Sequence, residues 1–100
     1  MRAFVLNQRF WQALTTRRLN KELGPEGVIS LLKLLAWAAE NRPNGYLEGM
    51  DETDIELVAE WNGEPGKFGE AAEITGCLRS WQKEGVTQYS CPPCDYYLGN

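Results

Sequence analysis

The sequence contains no histidine. This removes the side chain used most often as a general base near neutral pH, and with it the most frequent ligand of transition metals. Cysteine is scarce: Cys77, Cys91 and Cys94 are the three present. Their number is odd and too small for the disulfide framework of a secreted mini-domain, so a reducing, cytoplasmic setting is the expectation. The longest apolar run, Leu34 to Ala39, falls far short of the roughly 18 residues of a membrane span. The first residues do not join a charged start to an apolar stretch and a small-residue cleavage site, so neither a secretion signal nor a membrane partner is expected. A glycine-rich phosphate loop and a Ser-His-Asp set are also missing. The acids Glu52, Glu56 and Glu60 recur at helical spacing, but a solvated helix face accounts for them without a catalytic pair. The expectation is therefore a protein without catalytic residues, cofactor or small-molecule substrate.

What is present suits one domain. A chain of 100 residues, 43% of them hydrophobic, can bury roughly two-thirds of its unfolded surface around one modest core. Charge is divided unevenly along it. Residues 1–50 carry seven Lys and Arg against four acids, a net of +3, whereas residues 51–100 carry three against ten, a net of −7. From Arg2 to Lys21 there are five basic residues and no acid. Such asymmetry can mark a surface that meets polyanions, while the overall charge of −4 argues against indiscriminate nucleic-acid binding.

Along the chain, residues 1–14 mix Phe4, Val5, Phe10, Trp11 and Leu14 with polar groups and read as an extended arm. Thr15 or Thr16 can cap a helix running to about Leu23, and Gly24-Pro25 stops the chain and restarts it. From Pro25 to Asn41 apolar residues recur at helical spacing, with Leu31, Leu32 and Leu35 expected at the centre and Ser30, Lys33 and Glu40 as its polar positions. Arg42-Pro43-Asn44-Gly45 ends this helix, and Tyr46-Leu47-Glu48 is a very short extended piece. Asp51 is a good N-cap, with Ile55, Val58 and Ala59 on one face and Asn62-Gly63 closing the helix. Glu64-Pro65 opens a further helix, with Phe68, Ala71, Ala72 and Thr75 on one side and Gly76 as its left-handed terminator. Leu78–Lys83 and Val86–Cys91 then flank Glu84-Gly85 as a β-hairpin, and 92–100 is a tail. The expected fold is mainly α (α+β): after the arm 1–14, a winged-helix domain over 15–91, a winged helix-turn-helix with an N-terminal helical extension and a C-terminal hairpin wing.

The run Leu19-Asn20-Lys21-Glu22-Leu23-Gly24, with Leu31-Leu32, Trp37-Ala38-Ala39 and Asn44-Gly45, resembles the N-terminal winged-helix domain of phage replisome-organiser and replication-initiator proteins. Leu47-Glu48-Gly49-Met50, Asp54-Ile55, Ala59-Glu60-Trp61, Phe68, Ala71-Ala72 and Gly76-Cys77-Leu78 extend the resemblance over roughly residues 10–90. The resemblance implies a basic helical prefix before a winged helix and a role in DNA replication initiation or transcription. The chain departs from that pattern where Cys91-Pro92-Pro93-Cys94 follows the wing.

The candidate contacts are cationic and aromatic. Arg17, Arg18 and Lys21 lie in the basic prefix, and Lys67 opens the helix in the recognition position. Arg79, Trp81 and Lys83 alternate onto one face of the first wing strand. Such groups can touch phosphates, and Trp81 can stack on a base or pack on the domain. Glu70 and Glu73 on the recognition helix would repel phosphate, so docking on double-stranded DNA is expected mainly through backbone contacts. The alternative is an acidic winged-helix module that binds a replication-protein partner or forms a homodimer without touching DNA. Cys91 and Cys94 supply two thiolates; one subunit lacks four soft ligands, so a zinc site would have to be shared between two chains. Otherwise they are ordinary thiols, and Cys77 is expected in the core.

Overall fold

A computed structural model of the chain describes residues 13–42 and 44–91. Most of the expected arm, Pro43, the tail and Cys94 lie outside the described residues. Among the described residues, four helices precede a two-stranded antiparallel hairpin: α1 Leu14–Leu23, α2 Pro25–Asn41, α3 Glu52–Val58, α4 Lys67–Thr75, β1 Arg79–Lys83 and β2 Val86–Ser90. α1 packs against both α2 and α4, and α3 touches the same two helices. Among the described residues no helix is long and apolar enough to cross a membrane.

α1 begins one turn earlier than a threonine cap would allow. Its N-cap is Ala13, which makes no side-chain cap bond. Thr15 and Thr16 are already helical, and Thr16 is buried. An N-cap needs extended backbone, and Ala13 rather than either threonine has it. Gly24 ends α1 at φ +76° and donates its N–H to Asn20 O at 2.7 Å. Pro25 then starts α2, where its missing N–H has no intrahelical partner to lose.

α2 holds more buried residues than any other described helix, although α4 buries a larger share of its length and the inward face of α2 differs from the expected one. Leu31, Leu34, Leu35 and Ala38 are buried, together with Val28 and Ser30, whereas Leu32 is half-buried. Leu34 thus takes the central place expected for Leu32, and Ser30 is no surface residue. Helical periodicity defines a stripe, but the neighbours α1 and α3 decide which edge of it is covered. Gly27 permits a close approach of α2 to the end of α1: a Cβ built there would lie 2.5 Å from Leu23 Cβ.

The Asp51 cap of α3 forms as expected. Asp54 N–H donates to Asp51 Oδ1 at 2.8 Å, and Asp51 N–H donates to Asp54 Oδ2 at 3.2 Å, a reciprocal capping box. The helix ends at Val58 rather than near Asn62-Gly63, because Glu60 turns left-handed at φ +55° and Trp61 N–H reaches Glu56 O. α4 starts at Lys67 after a left-handed Gly66, two residues later than Pro65 suggested. Its inner face, Phe68, Ala71, Ala72 and Thr75, is the expected one, and Gly76 closes it at φ +88°. Trp61 covers Phe68 with ring centroids 6.0 Å apart.

The hairpin pairs Arg79 with Ser90 and Lys83 with Val86. Its two-residue turn has Glu84 and Gly85 both at positive φ, the conformation whose twist matches paired strands. Each strand is one residue shorter at its outer end than expected, since Leu78 and Cys91 are buried below the sheet's start. Tyr46 forms a bridge to Ser90, flanked by Leu47 N–H to Tyr89 O at 3.0 Å and Cys91 N–H to Gly45 O at 2.8 Å. The segment after α2 is thereby tied to the outer edge of β2.

Candidate nucleic-acid interface

Paired residues of an antiparallel sheet project to the same face. The register therefore gathers Arg79, Trp81 and Lys83 with Val86, Gln88 and Ser90, and the bridge adds Tyr46. The opposite face carries Tyr89, which is buried. On the outer face Tyr46 is 50% exposed and Trp81 39%, and their rings meet edge to face at 6.1 Å and 86°. An open groove of about 560 Å³ runs past this pair and past Lys83, Val86 and Gln88. Glu48 and Glu84 stand on its rim. Trp81 is thus half covered by Tyr46 rather than sunk into the domain.

Tyr46 was not among the residues that spacing singled out. The available signal is the alternation of an exposed Tyr46 with a fully buried Leu47, which marks a strand; its partner strand lies more than forty residues away and leaves no local trace.

The basic prefix is exposed but does not form a single patch. Arg17 borders a groove between α1 and α2 and shares that flank with Lys21, four residues on. Arg18 lies one turn from Thr15, on the flank that adjoins the entry to β1. There the Cys77 thiol donates to Thr15 O at 3.4 Å, and a Cβ at Gly76 would meet Thr15 Cγ2 at 3.2 Å. Among the described residues the one ion pair joins Lys33 to Glu60 at 3.3 Å, so Arg17, Arg18, Lys21, Arg79 and Lys83 pair with no described carboxylate.

Lys67 stands in different surroundings. Glu52, Glu64, Glu70 and Glu73 line the same open depression. Burial pushes the Glu52 carboxyl above its ordinary range, and Glu56, Glu73 and Glu70 push it further in the same direction. The outward side of α4 is therefore acidic, as Glu70 and Glu73 foreshadowed. Tyr89 is also shifted up, first by burial and then by Glu52, Glu73 and Asp51.

Of the cysteines, Cys77 is buried, accepts from Thr75 Oγ1 at 3.5 Å, and has its thiol pushed up by that burial. Cys91 is buried as well. Among the described residues no group of three or more Cys, Asp or Glu could hold a metal ion. Compared with known proteins, the chain matches no family model, no curated protein and no solved structure.

Proposed function

We propose that this chain is a winged-helix domain that binds double-stranded DNA, in replication initiation of the phage type or in transcription, and docks mainly on backbone phosphates. The order of elements supports the fold: a long helix, the Tyr46 bridge to the last strand, two short helices, then the hairpin as wing. α1 is the helical extension. The observation that carries the DNA reading is the exposed Tyr46–Trp81 pair on the same sheet face as Arg79 and Lys83, two cations that pair with no described carboxylate. Cations give salt-dependent phosphate attraction, and aromatic faces stack on bases or sugars without demanding a sequence. Arg18, on the flank toward the wing, extends this surface, while Arg17 and Lys21 add longer-range attraction. Lys67 is left out of the docking surface, because four carboxylates surround it.

A second reading, from a different class, draws on that same acidic α4. A helix lined by Glu70, Glu73 and Glu52 suits a basic partner protein better than a phosphate backbone. On that reading the domain is a protein-interaction or oligomerisation module. Anisotropy of a labelled duplex, titrated with the protein over a series of salt concentrations, separates the two. The DNA reading expects weak binding that strengthens as salt falls and is further weakened, with its salt dependence kept, in a Tyr46→Ala, Trp81→Ala double variant. No binding at the lowest salt overturns it.

A further inference from the structure

The exposed rings on the hairpin face need a partner that an intact double helix does not present. A duplex offers phosphates on its outside and base edges in its grooves, while each base face is covered by its neighbours in the stack. Cations meet the phosphates directly, but an aromatic ring finds a base face only where a nucleotide has left the helix. Tyr46 and Trp81 stand at 86° to each other with centroids 6.1 Å apart, so they form a corner rather than a parallel stack. Val86, 58% exposed, borders the same groove of about 560 Å³. Three of the exposed large hydrophobic residues among those described thus gather on one sheet face.

We propose that this corner seats an unpaired base, so that the domain selects DNA at a junction of double and single strand. The inference rests on the DNA reading above and names the form of DNA that the hairpin face takes. The charges around the corner separate base from backbone. Arg79 and Lys83 each lie two residues from Trp81, about 7 Å to either side along the strand, where they can meet the phosphates that flank a nucleotide. Glu48 and Glu84 stand on the groove rim. They would repel a phosphate placed in the groove, whereas a neutral base enters without that cost. Gln88, the cross-strand partner of Trp81, also lines the groove, and its amide can both donate to and accept from a base edge. The groove has the size of a small-molecule site, about 300–1,000 Å³. The seat is preformed: Tyr46 N–H donates to Asn44 Oδ1 at 3.0 Å, the Tyr46 backbone bridges to Ser90, and Leu47 N–H donates to Tyr89 O. The main chain thereby holds the Tyr46 ring beside Trp81 before a ligand arrives, which lowers the ordering cost of binding.

Anisotropy of three labelled DNAs built on one duplex, titrated with the full chain at fixed salt, provides the test. One is blunt-ended, one carries a short single-stranded overhang, and one carries an overhang of the same length made of abasic sites. The intact overhang is expected to bind about tenfold more tightly than the blunt duplex, the effect of one stacked base. The abasic overhang keeps the phosphates and should lose most of that gain. Tyr46→Ala with Trp81→Ala should bring the intact overhang and the blunt duplex together, whereas Tyr46→Phe with Trp81→Phe, which keeps the rings, should hold them apart. Arg79→Gln with Lys83→Gln should weaken all three by a similar factor. An intact overhang bound no more tightly than the blunt or the abasic form overturns the inference and leaves phosphate docking on duplex DNA standing. A preference that survives the double alanine change overturns it as well. Binding to none of the three at the lowest salt overturns the DNA reading itself, and the inference with it.

Discussion

The Glu56 carboxylate accepts a hydrogen bond from the Gly66 amide at 2.9 Å, so a side chain of α3 closes the start of α4. Its other oxygen accepts from Gly69 N–H at 3.1 Å. One acid thereby satisfies two of the amides that a helix N-terminus leaves open, at the end where the helix dipole favours negative charge. Gly66, left-handed at φ +88°, has no side chain with which to cap its own helix.

Removing that carboxylate should loosen the α3–α4 corner. Glu56→Ala is expected to cost about 1–2 kcal/mol, the range of a lost N-cap. Glu56→Gln, which keeps one good acceptor, should cost less. Urea midpoints at unchanged slope measure both; equal losses would show that charge rather than hydrogen bonding holds the corner.

Glu52 should respond to pH in the opposite sense to a salt-bridged acid. Burial first, and then Glu56, Glu73 and Glu70, raise its folded-state value above the ordinary 4.5. The folded state therefore holds this proton more tightly than the unfolded chain does. Its contribution to stability falls as pH rises from 4.5 through the raised value, and above that value the penalty is fully present. Glu52→Gln should stabilise the domain at pH 7, and the gain should vanish below pH 4.5. Thermal midpoints of the two proteins across that window decide it.

At Gly27 the usual benefit of alanine in a helix should reverse. A Cβ there would stand 2.5 Å from Leu23 Cβ, which is not the far end of a flexible side chain, so α1 or α2 must shift. Gly27→Ala is expected to cost about 1–3 kcal/mol, as overpacking does. At Gly24 nothing lies within 4 Å of the added atom, and Gly24→Ala should lose only about 1 kcal/mol, through its left-handed φ. A smaller loss at Gly27 than at Gly24 would mean the two helices do not meet this closely.

Within α2 the leucines should separate by burial. Leu34, wholly inaccessible, should lose about 2–5 kcal/mol on truncation to Ala. Leu32, half-buried on the α1–α2 groove, should fall below that range. Chemical denaturation of the two variants gives the order directly.

The proposed docking on DNA makes an electrostatic prediction. Replacing Arg17, Arg18 and Lys21 together should flatten the slope of log affinity against log salt by at most about 2.7, three phosphate contacts at about 0.9 each. Changing Glu70 and Glu73 to Gln should tighten binding, because two repulsive charges leave the acidic side of α4. Binding to a partner protein through that acidic side predicts weakening instead. Anisotropy titrations with duplex and with partner carry the test.

Local signals were legible wherever a few neighbouring residues decide the outcome. Pro25 and Gly24 mark the break between α1 and α2, Asp51 and Asp54 cap α3, Gly76 ends α4, and Glu84-Gly85 turns the hairpin. The order of the described elements follows from these signals together with periodicity, as does the alignment of Arg79, Trp81 and Lys83 on one strand face. Tertiary packing decided the rest. Leu34 rather than Leu32 is central because α1 and α3 cover one edge of a stripe that is apolar on both. Thr16 points inward because α1 starts at Leu14, and Glu56 caps a helix ten residues away. Tyr46 reaches Trp81 only because its backbone pairs with Ser90 across the sheet. Each of these depends on which elements come together in space, and a single sequence records the propensities of its segments but not their contacts.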